Sequence, residues 1–102
     1  MPIKINGHPR FMKKYEDLEG SIKRKVDDVL DSLKAGDKGD YIQKILYPKL
    51  YRKDGVKNLY RYEILSYRLI YTIVGREESK TFVILDFLTH KEYDVMFGYH
   101  TS

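Results

Sequence analysis

The sequence contains no cysteine, which excludes disulfides and thiolate metal ligands. No apolar run approaches the ~18 residues that a transmembrane helix needs. The opening residues, Met-Pro-Ile-Lys-Ile-Asn-Gly-His, lack the apolar stretch of a signal peptide. Phosphate-binding glycine loops, nucleophile elbows and zinc-type histidine pairs are missing too. His8, His90 and His100 have no metal spacing, no serine stands in a recognisable catalytic context, and there is no internal repeat or low-complexity segment. The expectation is a cytoplasmic protein without metal, cofactor or membrane partner.

What is present fits one domain over residues 1–102. A chain of this length can bury roughly two-thirds of its unfolded surface. At 42% hydrophobic and 33% charged, it is neither disordered nor membrane-spanning. The net charge of +4 is unevenly spread: residues 1–39 carry +2, residues 40–76 carry +5 and residues 77–102 carry −3. Seven of the ten tyrosines lie between Tyr41 and Tyr71, inside the positive stretch. Cations interleaved with aromatics suit nucleic acid, replacing counterions on phosphates and stacking on bases. The same pattern also describes a solvated strand face with tyrosines half in the core.

Periodicity organises the chain. Ile3 and Ile5 flank Lys4 and predict a short first strand, ended by Asn6-Gly7. His8-Pro9 opens a helix with Phe11, Tyr15 and Leu18 on one face, and Gly20 ends it. Ser21 is the expected N-cap of a second helix, with Ile22, Val26, Val29, Leu30 and Leu33 as its stripe and Ala35-Gly36 as its close. Residues 37–58 read as a basic, mobile stretch: Asp37–Asp40 predict loop, Tyr41–Leu46 a turn of helix or an extended piece, Pro48 discourages regular structure, and Lys53-Asp54-Gly55 signals a turn. Leu59–Leu65, Tyr67–Val74 and Thr81–Leu88 predict an antiparallel three-stranded meander, with Tyr60, Tyr62 and Ile64 on one face and Arg61 and Glu63 on the other. Residues 89–94 predict a polar exit from the sheet, and Val95-Met96-Phe97 a short helical turn stopped by Gly98. The fold class is α+β: an N-terminal helical hairpin packed on a mainly antiparallel twisted sheet, with the Arg61–Arg68 face left open.

The chemistry-bearing cluster is His90, Lys91, Tyr93 and Asp94 at the end of the last strand, beside the strand that carries Arg68. Histidine exchanges protons near neutrality, lysine and arginine hold a phosphate and stabilise its developing charge, and tyrosine donates or stacks. Those parts suffice for metal-free RNA cleavage by 2′-hydroxyl attack. Each also has an ordinary reading. His90 suits a surface histidine, Arg68 a strand-bridging arginine, Lys91 a solvated lysine, and Tyr93 and Tyr99 core or edge tyrosines. Asp86 interrupts an apolar strand, to orient His90, pair with Arg68 or face solvent.

Residues 60–71, Tyr-Arg-Tyr-Glu-Ile-Leu-Ser-Tyr-Arg-Leu-Ile-Tyr, resemble the signature of the RelE/ParE superfamily of type II toxins. Val83-Ile84-Leu85 running into Thr89-His90-Lys91 resembles that family's last strand and exit, and Phe11-Met12-Lys13-Lys14-Tyr15 with the second helix resembles its helical hairpin. The resemblance covers nearly the whole chain and is sharpest over residues 59–91. It implies a RelE-like, microbial-RNase-like fold. It also implies a ribosome-dependent mRNA interferase that leaves a 2′,3′-cyclic phosphate, and a cognate antitoxin that wraps the toxin in a hetero-oligomer. Carried across, Arg68 matches the phosphate-contacting arginine, and His90 and Lys91 match the strand-exit pair. Arg61 matches the first basic residue of the preceding strand, and with Lys49, Arg52, Lys53 and Lys57 it would hold rRNA and mRNA. Glu63 stands where the pattern often has a second basic residue. Tyr93 falls early and Tyr99 late for the family's C-terminal tyrosine. The departures leave room for a His-dependent mechanism, as in the YoeB, HigB and YafQ branches. Alternatives within the resemblance are a ParE-like inhibitor of DNA gyrase and a catalytically inactive RNA-binding relative.

Overall fold

The alternating residues from position 59 onward form the centre of a five-stranded sheet in the computed structural model, which describes residues 3–76 and 79–98. In chain order the elements are β1 (Lys4–Gly7), α1 (Pro9–Glu16), α2 (Gly20–Lys34), β2 (Asp40–Tyr41), a single 3-10 turn (Lys44–Leu46), α3 (Lys49–Lys53), β3 (Tyr60–Ile64), β4 (Tyr67–Val74), β5 (Thr81–Thr89) and α4 (His90–Phe97). The sheet order is β1-β5-β4-β3-β2. β1 runs parallel to β5, and the remaining pairs are antiparallel.

Side-chain alternation sorts the sheet into two faces. One carries Tyr60, Tyr62, Ile64, Leu69, Tyr71, Phe82, Ile84 and Phe87, and packs against Phe11 of α1 and Val26 and Leu33 of α2. Stacked rings cross the strands here, Tyr60 on Tyr71, Tyr71 on Phe82 and Tyr67 on Phe87. The helix-capping details differ from expectation. α1 stops at Glu16, so Leu18 reaches the core from the connection, and Glu19 rather than Ser21 caps α2 by accepting from the Ser21 N–H at 3.0 Å.

The other face is covered, not open. Ile42, Tyr47, Tyr51, Leu59, Ile70, Leu85, Leu88, Tyr93 and Phe97 form a second core beneath α3 and α4. Within residues 40–46 lie both β2 and the 3-10 turn, where an extended piece or a helical turn was expected; α3 forms after Pro48, where regular structure was not expected, and the polar exit is a full helix beginning at His90. Of the seven central tyrosines, Tyr47, Tyr51 and Tyr71 are buried, Tyr60, Tyr62 and Tyr67 pack partly buried on the helix-side core, and Tyr41 stands exposed. The core reading of those rings is the one observed. Gly39, just before β2, lies so close to β3 that a Cβ would meet the Arg61 carbonyl oxygen at 2.1 Å.

Register explains Asp86. Ile70 faces Asp86 but Tyr71 faces Ile84, so Leu85 is the extra residue of a β-bulge. The bulge points Leu85 and Asp86 toward the same layer, and Asp86 is 1% exposed. It neither orients His90 nor pairs with Arg68. Lys14 Nζ donates to its Oδ1 at 2.7 Å, the Tyr51 hydroxyl donates to Oδ2 at 3.2 Å, and the Phe87 N–H donates to Oδ1 at 2.8 Å. Burial, and after it the Asp86 charge, pushes the Tyr51 hydroxyl well above the ordinary tyrosine range.

Removing the cation leaves a buried carboxylate without its counter-charge. Lys14→Met is expected to cost about 2–3 kcal/mol in urea unfolding, the low end for breaking a buried pair because the lysine itself is partly solvated.

Candidate functional site

The predicted cluster forms where β3, β4 and the end of β5 meet α4. The β3–β4 hairpin turns through Leu65-Ser66, with Ile64 opposite Tyr67. Leu65 adopts φ 55°, a left-handed conformation uncommon for a branched residue. The Ser66 carbonyl at this turn accepts the His90 N–H at 2.8 Å, tying the start of α4 to the hairpin.

The helix begins there for a local reason. Thr89 Oγ1 accepts the Glu92 N–H at 3.1 Å while Glu92 Oε1 accepts the Thr89 N–H at 2.9 Å, a reciprocal capping box. The hydrogen bond from the Thr89 N–H is the main cause holding the Glu92 carboxyl below its ordinary value. Tyr93 and Phe97, one turn apart with rings 4.3 Å between centroids, bury the inner side of α4. Gly98, at φ 76°, closes it in the left-handed conformation that favours glycine.

Arg68 is the hub. Its Nη2 lies 3.1 Å from His90 Nδ1 and 3.6 Å from Glu63 Oε1, its cross-strand neighbour, and its Nη1 donates to the Tyr67 carbonyl at 3.2 Å. Its buried Nε has no hydrogen-bond partner among the described residues. His90 Nε2 is 3.0 Å from Asp94 Oδ2, one helical turn on. Arg61 shares the face: Nη1 donates to the Tyr93 hydroxyl at 2.8 Å and Nε lies 3.7 Å from Asp40 Oδ2. Both guanidiniums sit over the Tyr93 ring, at 5.5 Å for Arg61 and 5.7 Å for Arg68. The ring, 2% exposed, is a platform that holds two cations side by side.

The structure thus brings together Arg61, Arg68, His90 and Tyr93. Lys91 is exposed beside His90 on α4. Lys49, Arg52 and Lys53 are exposed on α3, in the same layer as α4. Lys57 lies at the far end of β3, lining a cleft of about 590 Å³ with Asn58, Thr72 and Val83, away from His90. Tyr99 and His100 lie outside the described residues. Three carboxylates lie on the cluster: Asp94, named with it from the sequence, on the histidine, Glu63, singled out on the Arg61 face, on Arg68, and Asp40, which the sequence did not single out, on Arg61. Asp94 carried a signal, the i,i+4 spacing from His90, visible once the segment is read as helix. Among the described residues no group of three or more His, Asp or Glu is placed to hold a metal ion. No helix among them is long and apolar enough to cross a membrane.

No protein-family model matches the chain, and no curated protein matches it. Among solved structures, a chain from the crystal structure of the archaeal RelE–RelB complex from Pyrococcus horikoshii OT3 is similar. The two are 20% identical, the match covers 88% of this chain and 97% of that chain, and the TM-score is 0.58. The likeness is one of fold: a mixed α+β domain with helices and a five-stranded sheet arranged in the RelE manner.

Two substitutions test the capping box. Thr89→Ala is expected to cost about 1 kcal/mol in urea unfolding near neutral pH. Glu92 has a lowered carboxyl value in the folded chain, so its contribution is present above the ordinary glutamate range and lost as pH falls through the folded value. The cost of Glu92→Ala should therefore be largest at about pH 7 and shrink as pH falls below the ordinary glutamate range.

Proposed function

We propose that this chain is the toxin of a toxin–antitoxin pair and a metal-independent endoribonuclease that cleaves mRNA on the ribosome in the cytoplasm. The observation that carries the reading is the contact chain Asp94–His90–Arg68, set beside Arg61 over the Tyr93 ring. Its parts are a proton acceptor and two cations held over one ring, beside an open pocket of about 270 Å³ lined by Asp40, Arg61 and Glu63.

On this reading a phosphodiester lies on Arg68 and Arg61, whose N–H groups meet its non-bridging oxygens. The 2′-oxygen of the preceding ribose bonds to phosphorus as His90 takes its proton, and the bond from phosphorus to the 5′-oxygen breaks. The departing 5′-oxygen takes a proton from solvent. The products are a 2′,3′-cyclic phosphate and a 5′-hydroxyl. The arginines stabilise the charge that gathers on the phosphorane. Tyr93 keeps the guanidiniums in place, and Lys91 adds positive charge at the helix start. Lys49, Arg52 and Lys53 on α3 extend the positive surface toward rRNA and mRNA. The antitoxin offers an acidic or amphipathic segment to that surface.

One contact favours a second reading, an RNA-binding relative without activity. Glu63 lies 3.6 Å from Arg68 where a phosphate oxygen would compete. Glu63 is more than half exposed, and such a pair is worth roughly 0.2–1 kcal/mol, little enough for a phosphodiester, which carries one negative charge as the carboxylate does, to displace it.

Primer extension on mRNA, with and without ribosomes, decides the matter. Wild-type protein should yield cuts that need ribosomes. His90→Ala should slow cleavage by about 10²–10⁴-fold and Arg68→Ala by about 10²–10³-fold. Wild-type cleavage by both variants would overturn the site. Intact mRNA together with blocked gyrase supercoiling would replace the reading with gyrase inhibition. RNA binding without cleavage would select the inactive relative.

A further inference from the structure

We infer that Asp94 is a positioning residue for His90, fixing which ring nitrogen faces the arginine cluster. The inference rests on the ribonuclease reading for its consequence but not for its geometry. A guanidinium has N–H donors and no acceptor. At 3.1 Å from Arg68 Nη2, His90 Nδ1 is therefore the accepting nitrogen, and the ring proton of the neutral imidazole sits on Nε2. Nε2 in turn lies 3.0 Å from Asp94 Oδ2, a carboxylate with only acceptors. The two contacts demand the same tautomer from opposite sides of the ring.

The rest of α4 makes this arrangement rigid. The capping box and the Ser66 carbonyl fix the first turn, and Tyr93, adjacent to Asp94, is anchored in the second core. The His90 side chain is 59% exposed and Asp94 27%, so without a tether the ring would be free to turn over and exchange its nitrogens. The charged groups facing the imidazole are Arg68 from β4, with Glu63 of β3 behind it, and Asp94 from its own helix. When a phosphate draws Arg68 toward itself, Nδ1 is uncovered at the place where the 2′-hydroxyl proton must go. The imidazolium then formed already has a carboxylate at Nε2. Asp94 touches neither substrate nor the reacting atoms; it acts through His90.

Asp94→Asn and Asp94→Glu test this, each compared with wild type for thermal unfolding, RNA affinity, cleavage rate, and the nitrogen and proton resonances of the His90 ring, which report the nitrogen that carries the proton. Asp94→Asn should leave folding and RNA affinity near wild type and lower the maximal cleavage rate by about tenfold or more. It should also let the Nδ1–H tautomer appear beside the Nε2–H form, because an amide can present an N–H to the ring where the carboxylate only accepts. Asp94→Glu should recover most of the rate and the Nε2–H tautomer. An Asn variant with wild-type rate and an unchanged tautomer would overturn the inference, as would a Glu variant no better than Asn. Should His90→Ala cleave like wild type, the ribonuclease assignment of His90 fails, while the ring resonances still decide whether Asp94 holds His90.

Discussion

One buried charge organises this domain. Asp86 sits in the middle of the most apolar strand, and a carboxylate there costs several kcal/mol in lost hydration unless it is fully partnered. Its partners come from three directions: Lys14 from α1, Tyr51 from α3 and the backbone of β5 itself. β1 covers the edge of β5 only as far as Ile84. Beyond that point Lys14 reaches in, and its Nζ also donates to the Phe87 carbonyl at 3.1 Å, satisfying an edge group that no strand pairs. The same carboxylate pins α3 to the second face. Because the Tyr51 ring contacts Phe97 at 6.3 Å, the wall against which α4 lies is set by that pin. The site at the head of α4 thus depends on a carboxylate that is not part of it.

The site is built from devices each worth only about 1 kcal/mol. A two-residue hairpin puts Glu63 opposite Arg68, a reciprocal cap starts the helix at His90, and one turn of helix returns Asp94 to the imidazole. None of these is strong alone. Together they hold the His90 ring between Arg68 and Asp94. Precision here comes from agreement among weak constraints, a cheaper route than one strong contact.

Much of this was legible in the residues. Alternation from 59 to 65 gave the correct faces for Arg61, Glu63, Tyr60 and Tyr62, and the nearness of Arg68 to His90 followed from the meander. Of α4 only the last turn, Val95-Met96-Phe97 before Gly98, was expected, although the marks of its start were present: Thr89 and Glu92 have capping-box spacing, and Tyr93, Met96 and Phe97 fall at i, i+3 and i+4. The charged residues between them outweighed that pattern. α3 is too short for periodicity to register. The covered second face was hidden because its lid is mostly tyrosine, a residue equally at home in a core or at an RNA surface. The bond between Lys14 and Asp86 joins residues 72 apart, and no local pattern can announce it.

The carboxylates also change what the central positive charge means. Both site arginines are already paired, Arg61 with Asp40 and Arg68 with Glu63, and those acids are 70% and 57% exposed. Pairs of that kind are weak and screened by salt, so they orient a guanidinium without committing it. A phosphate arriving on the same donors exchanges one anion for another, and the net electrostatic gain is smaller than on a bare arginine. Binding strength must then come from elsewhere, and the unpaired outer side of α3, with Lys49, Arg52 and Lys53, is the adjacent source in the same layer. On the proposed ribonuclease reading, that division lets Arg61 and Arg68 act selectively in the transition state, where the extra charge on phosphorus oxygens exceeds what Asp40 and Glu63 can match. On the proposed reading, a surface that would grip RNA on α3 and a cluster that would discriminate its charge at the head of α4 belong to one layer over the sheet, joined through the core that Tyr51 and Phe97 share.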